Sequence, residues 1–160
     1  MAVTIDTPLD EVIGKLKASR ETILALFAEH MSRIGEEAVS MARINGVYID
    51  HTGNLRSSIG YAVLVDGKPW MKAYPQSANV GTDPQGGVEK GSQYLDELVA
   101  KTDSIGKIVL IVTAGMDYAE YVERIETKDV LAQTELRTRT IAEARMQQLK
   151  AMAVRIANGN

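Results

Sequence analysis

The chain has 160 residues, a net charge of −3, 45% apolar residues and no cysteine. That length suits one domain, 1–160, with a core of its own. The absence of cysteine excludes disulfide frameworks and thiolate metal sites, and the acidic balance argues against general nucleic-acid affinity, which needs clustered Lys and Arg.

The first predicted helix can be capped by Thr7, with Pro8 in its first turn and Asp10 near the positive end of the dipole. Apolar residues recur at Leu9, Val12, Ile13, Leu16, Ile23, Phe27, Ile34, Ala38 and Met41, the three-and-four spacing of an amphipathic helix. Arg20 interrupts the stripe, Gly35 weakens the interior, and Asn45-Gly46 is a stop signal. One helix over residues 8–44 would span roughly 55 Å, against a diameter near 40 Å for a domain of this size. The expectation is a break near Ser19 or Gly35, or a projecting first half. A helix continuous or gently bent from about Arg20 is favoured, with residues 1–19 as a mobile or partner-bound extension.

Residues 59–74 predict a hairpin. Ile59, Tyr61, Val63 and Val65 alternate with Gly60, Ala62 and Leu64, and Asp66-Gly67 is a strong two-residue turn signal. Trp70 is the expected apolar anchor of the return strand, and Pro69 suits a strand start or an edge. Residues 75–92 predict a loop, followed by a short helix from about Glu89 to Lys101, so that 76–102 forms an insertion. A third strand, Lys107 to Ala114, is apolar on both faces and therefore expected at the sheet centre. Asp117 can cap a short helical segment with Tyr118, Tyr121 and Val122. A last helix spans about Ala132 to Ala157, with Leu136, Ile141, Met146, Leu149, Met152, Val154 and Ile156 as its apolar positions. The expected class is α+β: a long N-terminal helix and a C-terminal helix packed on one face of a small antiparallel β-sheet, with a short helical insertion.

Catalytic constellations are thin. His30 and His51 are 21 residues apart, which matches no metal motif. Ser57 and Ser58 follow Asp50 and His51 but lack a nucleophile-elbow pattern, so turn chemistry is the plainer role. Glu120 and Glu123 would share a helical face, where ion pairing is the ordinary state of such carboxylates. No Walker or dinucleotide glycine pattern is present. No cofactor and no metal are therefore expected. No apolar run approaches the roughly 18 residues of a membrane span, and the N-terminus lacks a secretory pattern, so synthesis in the cytoplasm is expected.

Two segments remain. In Thr52-Gly53-Asn54-Leu55-Arg56, Thr52 can cap a turn, Gly53 allows a tight backbone and Leu55 drops into the core. Arg56 is then placed to fork onto a carboxylate, with Glu120 or Glu123 as the expected partner. The two segments are expected to lie together at one end of the sheet. Charge is also uneven. Residues 83–103 hold five acids and two lysines, whereas 133–157 hold five bases and two acids. Either these are two solvated faces or they are surfaces that meet between neighbouring subunits.

The run Thr52-Gly53-Asn54-Leu55-Arg56-Ser57-Ser58-Ile59, followed by Tyr118-Ala119-Glu120-Tyr121-Val122-Glu123, resembles the paired signature of tailed-phage head–tail joining and tail-completion proteins, the neck proteins. The order, spacing and coarse architecture agree over about residues 20–157. The chain departs from the pattern at Arg124-Ile125-Glu126, where the family has a Gly-Thr turn, and in the length of the 76–102 insertion. The resemblance implies a non-enzymatic virion protein of a phage or prophage tail or neck, made in the bacterial cytoplasm. It would form a ring, often of six subunits, with itself and with connector or tail-tube proteins. Thr52, Gly53, Asn54, Leu55, Arg56, Tyr118, Glu120, Tyr121 and Glu123 are then the candidate assembly residues. Sequence-specific nucleic-acid binding is not implied, although DNA would pass through the ring lumen. The alternatives are a bacterial adaptor that binds a partner through the long first helix, and a small hydrolase using His51 and a nearby carboxylate.

Overall fold

The structure, a computed structural model, describes residues 9–46, 48–78, 80–124 and 130–158. The expected cap at Thr7 and Pro8 lies outside the described residues, as do the side chains of Asp10 and Glu123. The fold is α+β, with α1 (Leu9–Asn45), α2 (Asn54–Ser57), β1 (Ile59–Val65), β2 (Lys68–Ala73), α3 (Gln85–Lys101), β3 (Ile108–Ala114), α4 (Ala119–Arg124) and α5 (Ala132–Ala157).

The three strands form an antiparallel sheet in the order β2-β1-β3. The central strand is therefore β1, and β3 is an edge, contrary to the expectation from its apolar run. Continuous apolarity reports cover on both faces, not neighbours on both sides. Helices supply that cover. Tyr61 and Val63 pack with Ala28, Met31 and Val39 of α1, and their strand neighbours Ala73, Leu110 and Val112 join the same cluster. The alternate residues face the other way, toward α3. Lys72, paired in register with Ala62, reaches Asp96 of α3 at 2.8 Å. The helices thus occupy two faces of the sheet, not one.

The hairpin turn is Asp66-Gly67, with φ of 50° and 80°, the left-handed pair that a two-residue turn requires. The register of β1 and β2 shifts between Val63 and Leu64, so that Met71 and Pro69 are paired and Trp70 is passed over. Trp70 consequently stands 51% exposed and is not a core anchor. Lys68, Pro69, Lys72 and the bulge together blunt this edge against further strand pairing.

α1 is one helix, unbroken at Ser19 and at Gly35. Gly35 is an approach point: a Cβ there would run into the Tyr61 ring. Its missing side chain lets the helix backbone lie on the sheet. Near Arg20, whose guanidinium meets Asp66 at 3.3 Å, the helix passes the hairpin turn, and residues 14–18 beyond it are exposed. α5 packs antiparallel on α1, with Arg145 on Glu37 at 2.7 Å and Leu149 buried. Its expected apolar face is only partly right. Leu136, Met152 and Val154 are exposed, and Thr134 is buried instead.

α3 begins at Gln85, four residues before the expected start, and takes Gly86 and Gly87 into its first turn. Gly87 and Gly91 lie where a Cβ would collide with the backbone of Asn54 and Ser58. The 76–102 segment is thus fitted against α2 and the start of β1, not appended to them.

Two measurements test this packing. Gly35→Ala should destabilise the fold by about 1–3 kcal/mol, because an overpacked contact must be relieved by shifting Tyr61; an unchanged unfolding midpoint would refute the close approach. Burial, and then the Glu36 carboxylate, push the Tyr61 phenol up to about 12. An unfolded tyrosine ionises near 10, so this contribution to stability is full below that pH and is lost as pH rises through about 12. Tyr61→Phe should flatten that alkaline fall in a pH series of unfolding curves.

Candidate assembly site at the sheet end

α1 ends where the chain turns toward β1, leaving the last carbonyls of the helix in need of donors. Arg56 supplies them. Its Nε donates to the Arg43 carbonyl at 3.0 Å, and its Nη2 to those of Gly46 at 2.7 Å and Tyr48 at 3.4 Å. The guanidinium also sits 4.5 Å from the centroid of the Tyr48 ring. A cation at the negative end of the helix dipole is favourable as well as hydrogen-bonded.

Arg43 answers in the other direction. It donates to the carbonyls of Arg56 at 3.2 Å, Ile59 at 2.9 Å and Gln76 at 3.2 Å. Burial lowers the pKa of its guanidinium below the ordinary arginine value, with Tyr48 opposing. Two arginines thus exchange their side chains across the junction, each serving the backbone around the other.

The remaining residues of the segment have equally local tasks. Gly53 has φ of 80°, and a Cβ there would strike the Val80 carbonyl, so only glycine fits. The Asp50 carboxylate takes the N–H groups of Arg56 at 2.8 Å and Leu55 at 3.4 Å, capping α2. The Asn54 side-chain oxygen takes the Gly87 N–H at 2.7 Å and so caps α3 from 33 residues away. This tertiary cap allows the helix to begin at glycines. Thr52 accepts the Asn54 N–H at 3.3 Å through its hydroxyl and the Asp83 N–H at 3.0 Å through its carbonyl.

Leu55 is buried with Tyr48, Met116, Ala119 and Val130. That cluster joins the two signature segments, because Met116 and Ala119 belong to the second one's approach and first turn. Gly115 N–H donates to the Ser58 carbonyl at 3.3 Å, and Tyr118 stands near Thr52 and Asp50. Desolvation, then the Asp50 charge, raise the pKa of Tyr118, and Thr52 and Lys90 oppose them. The expected meeting of the segments at one sheet end is therefore present. The expected ion pair to Glu120 is not how it is made, and the Glu123 side chain lies outside the described residues. Arg56 serves carbonyls, and Glu120 pairs with Arg124 at 2.8 Å.

What faces outward is the second segment. Tyr118 is 40% and Tyr121 54% exposed, and Glu120 is exposed beside them. A neighbouring cleft of about 190 Å3 is lined by Tyr94, Met116, Asp117 and Glu120. Asp117 pairs with Lys90 at 2.9 Å.

The serines considered for catalysis are buried. Ser57 Oγ accepts the Ala78 N–H at 2.9 Å, and Ser58 Oγ donates to the Leu55 carbonyl at 2.8 Å. Asp50 is committed to α2, and His51 is exposed. No group of three or more His, Cys, Asp or Glu side chains suited to a metal ion occurs among the described residues. No described helix is long and apolar enough to cross a membrane.

Arg56→Ala should lower folding stability by about 2 kcal/mol, since hydrogen bonds from a charged donor to otherwise unpaired carbonyls are lost. Arg56→Lys should recover only part, because an ammonium cannot reproduce the fork. Chemical denaturation of the three proteins checks this, and equal midpoints would remove Arg56 from its capping role.

No family model, curated protein or solved structure matches the chain.

Proposed function

We propose that the chain is a structural subunit of a tailed-phage or prophage head–tail joining or tail-completion ring. The observation that carries this reading is the junction of the two signature segments. Thr52–Ile59 and Tyr118–Glu123 carry the family resemblance, and Leu55, Met116 and Ala119 pack them into one unit. Within that unit the buried serines, Asp50 and both arginines are spent on backbone hydrogen bonds. The exposed remainder is tyrosine-rich, and tyrosines are residues on which protein–protein contacts concentrate their energy.

Charge supports a head-to-tail arrangement. Part of the acidic and basic segments is neutralised locally, through Lys101–Glu97, Lys107–Asp103, Arg139–Glu135 and Arg145–Glu37. Such exposed pairs contribute at most about 1 kcal/mol each. Asp83 and Glu89 on one side, and Arg137, Lys150 and Arg155 on the other, have no ion pair among the described residues. Opposite charges on separate surfaces suit an interface that repeats around a ring. The net charge of −3 suits a lumen through which DNA passes without counterion-release binding.

The adaptor reading has one observation of its own, the exposure of residues 14–18 of α1. Neighbouring genes separate the two: portal, capsid and tail-tube genes go with the ring, metabolic genes with an adaptor. The decisive experiment is deletion in a producing phage or prophage, with mass spectrometry of purified particles and electron microscopy. The protein should be found in the virion, and particles made without it should lack joined or completed tails. Normal tails without it would end the proposal. Tyr121→Ala should leave the unfolding midpoint within about 0.5 kcal/mol, as a surface change does, while lowering infectious titre at least tenfold. An undiminished titre would remove the tyrosine face from assembly.

A further inference from the structure

We infer that the groove between α1 and β2 binds the C-terminal tail of a partner protein, with the terminal carboxylate on Arg43 and a cationic side chain three residues earlier on Glu36. Such a site goes beyond the ring and does not depend on it.

The groove follows from the way the helix is seated. α1 packs on β1 and β3, which leaves the β2 margin of that sheet face open. Met71, whose Sδ lies 3.6 Å from the Tyr61 hydroxyl, is 41% exposed there. The space between helix and strand measures about 370 Å3, and Val39, Ile59, Tyr61 and Ala73 give it apolar walls. That volume is in the range of a ligand site. Ser40, Ile44 and Gln76 line it and are exposed, so it is a trough open along one side. Small molecules occupy enclosures that bury most of their surface. An open trough suits a chain that lies along it.

Two charges mark its length. Glu36 and Arg43 both line the trough, two turns apart on α1, which is about 10 Å along the helix. Neither has an ion pair among the described residues. Glu36 accepts only the Tyr61 hydroxyl, at 3.4 Å. Arg43 spends Nε and Nη2 on the carbonyls of Arg56, Ile59 and Gln76, and its Nη1 has no acceptor among the described residues. Burial lowers its pKa, and no carboxylate offsets that cost. A guanidinium with an unused edge is a carboxylate receptor. An extended chain advances about 3.3 Å per residue, so a cation three residues before a carboxylate spans the same 10 Å and meets both charges with their opposites. Gln76 stands at the Arg43 end with its carbonyl already on the guanidinium, which suits a chain that stops there.

The probe is the peptide acetyl-Lys-Ala-Leu-Val with a free carboxylate, titrated into the isotope-labelled chain and followed by amide chemical shifts. Saturable shifts should be confined to residues 36–44, 59–61 and 73–76. The C-terminal amide should bind at least tenfold more weakly, and so should a peptide with Glu in place of Lys. Glu36→Lys should reverse the second preference, so that the Glu peptide binds the better. Ser40→Trp, at an exposed position between the two charges, should abolish the shifts with an unchanged unfolding midpoint. Absence of saturable shifts with the first peptide, or equal binding of acid and amide, would overturn the site. So would a Glu36→Lys variant that keeps the original preference. That variant leaves Arg43 and the helix end in place, so it decides the matter even where Ser40→Trp disturbs folding.

Discussion

The exchange between Arg43 and Arg56 is the constraint on which the rest of this structure depends. It ties the end of α1 to the start of β1 through at least five carbonyls drawn from three chain segments. Even a half-buried guanidinium is costly unless its donors are used. Here the donors meet backbone oxygens that would otherwise lack partners. The result fixes where the helix stops and where the central strand begins. Because β1 then pairs on both sides, its position sets the register of β2 and β3. The tyrosine face depends on this in turn, since β3 delivers it beside Leu55.

Close approach is the second constraint, and it explains how a chain with one Phe and one Trp builds a core. Tyr61 and Tyr48 apart, aliphatic and small side chains fill the space between layers. Backbones come near enough to leave little space. Gly35 admits α1 to the Tyr61 ring, and Gly87 and Gly91 admit α3 to the α2–β1 junction. Glycine lowers helix propensity by about 1 kcal/mol relative to alanine. Dispersion and burial at each contact offset that cost, and so does the Asn54 cap in the case of α3.

Much of the fold is legible in the residue pattern. The span of α5, the Asp66-Gly67 turn and the end of β3 at Ala114 follow from period and punctuation, which act locally. What is not legible depends on partners distant in sequence. The start of α3 needs Asn54, the orientation of Trp70 needs the bulge against β1, and the edge position of β3 needs α3 on its second face. The site divides in the same way. Thr52, Gly53 and Leu55 have roles that their residue types announce. Arg56 was expected on a carboxylate because bidentate pairs are the familiar arginine geometry, but the helix end offered nearer acceptors. Arg43 has no such signal, because one arginine within a helix does not announce a half-buried guanidinium.

The division of labour within the two segments bears on how such a signature arises. A pair of motifs separated by some 60 residues could be kept together by a shared partner or by a shared fold. The first segment is turned inward: Gly53, Leu55, Ser57 and Ser58 are buried, and Asn54 and Arg56 serve other elements. The second is turned outward, with only Ala119 among its described residues buried in the core. The first segment therefore constrains the shape of the sheet end, and the second uses that shape to present tyrosines. A change in the first alters presentation only by loosening the fold, whereas a change at Tyr118 or Tyr121 in the second alters the surface. The first of the two candidate assembly segments is thus the one that binds its own backbone.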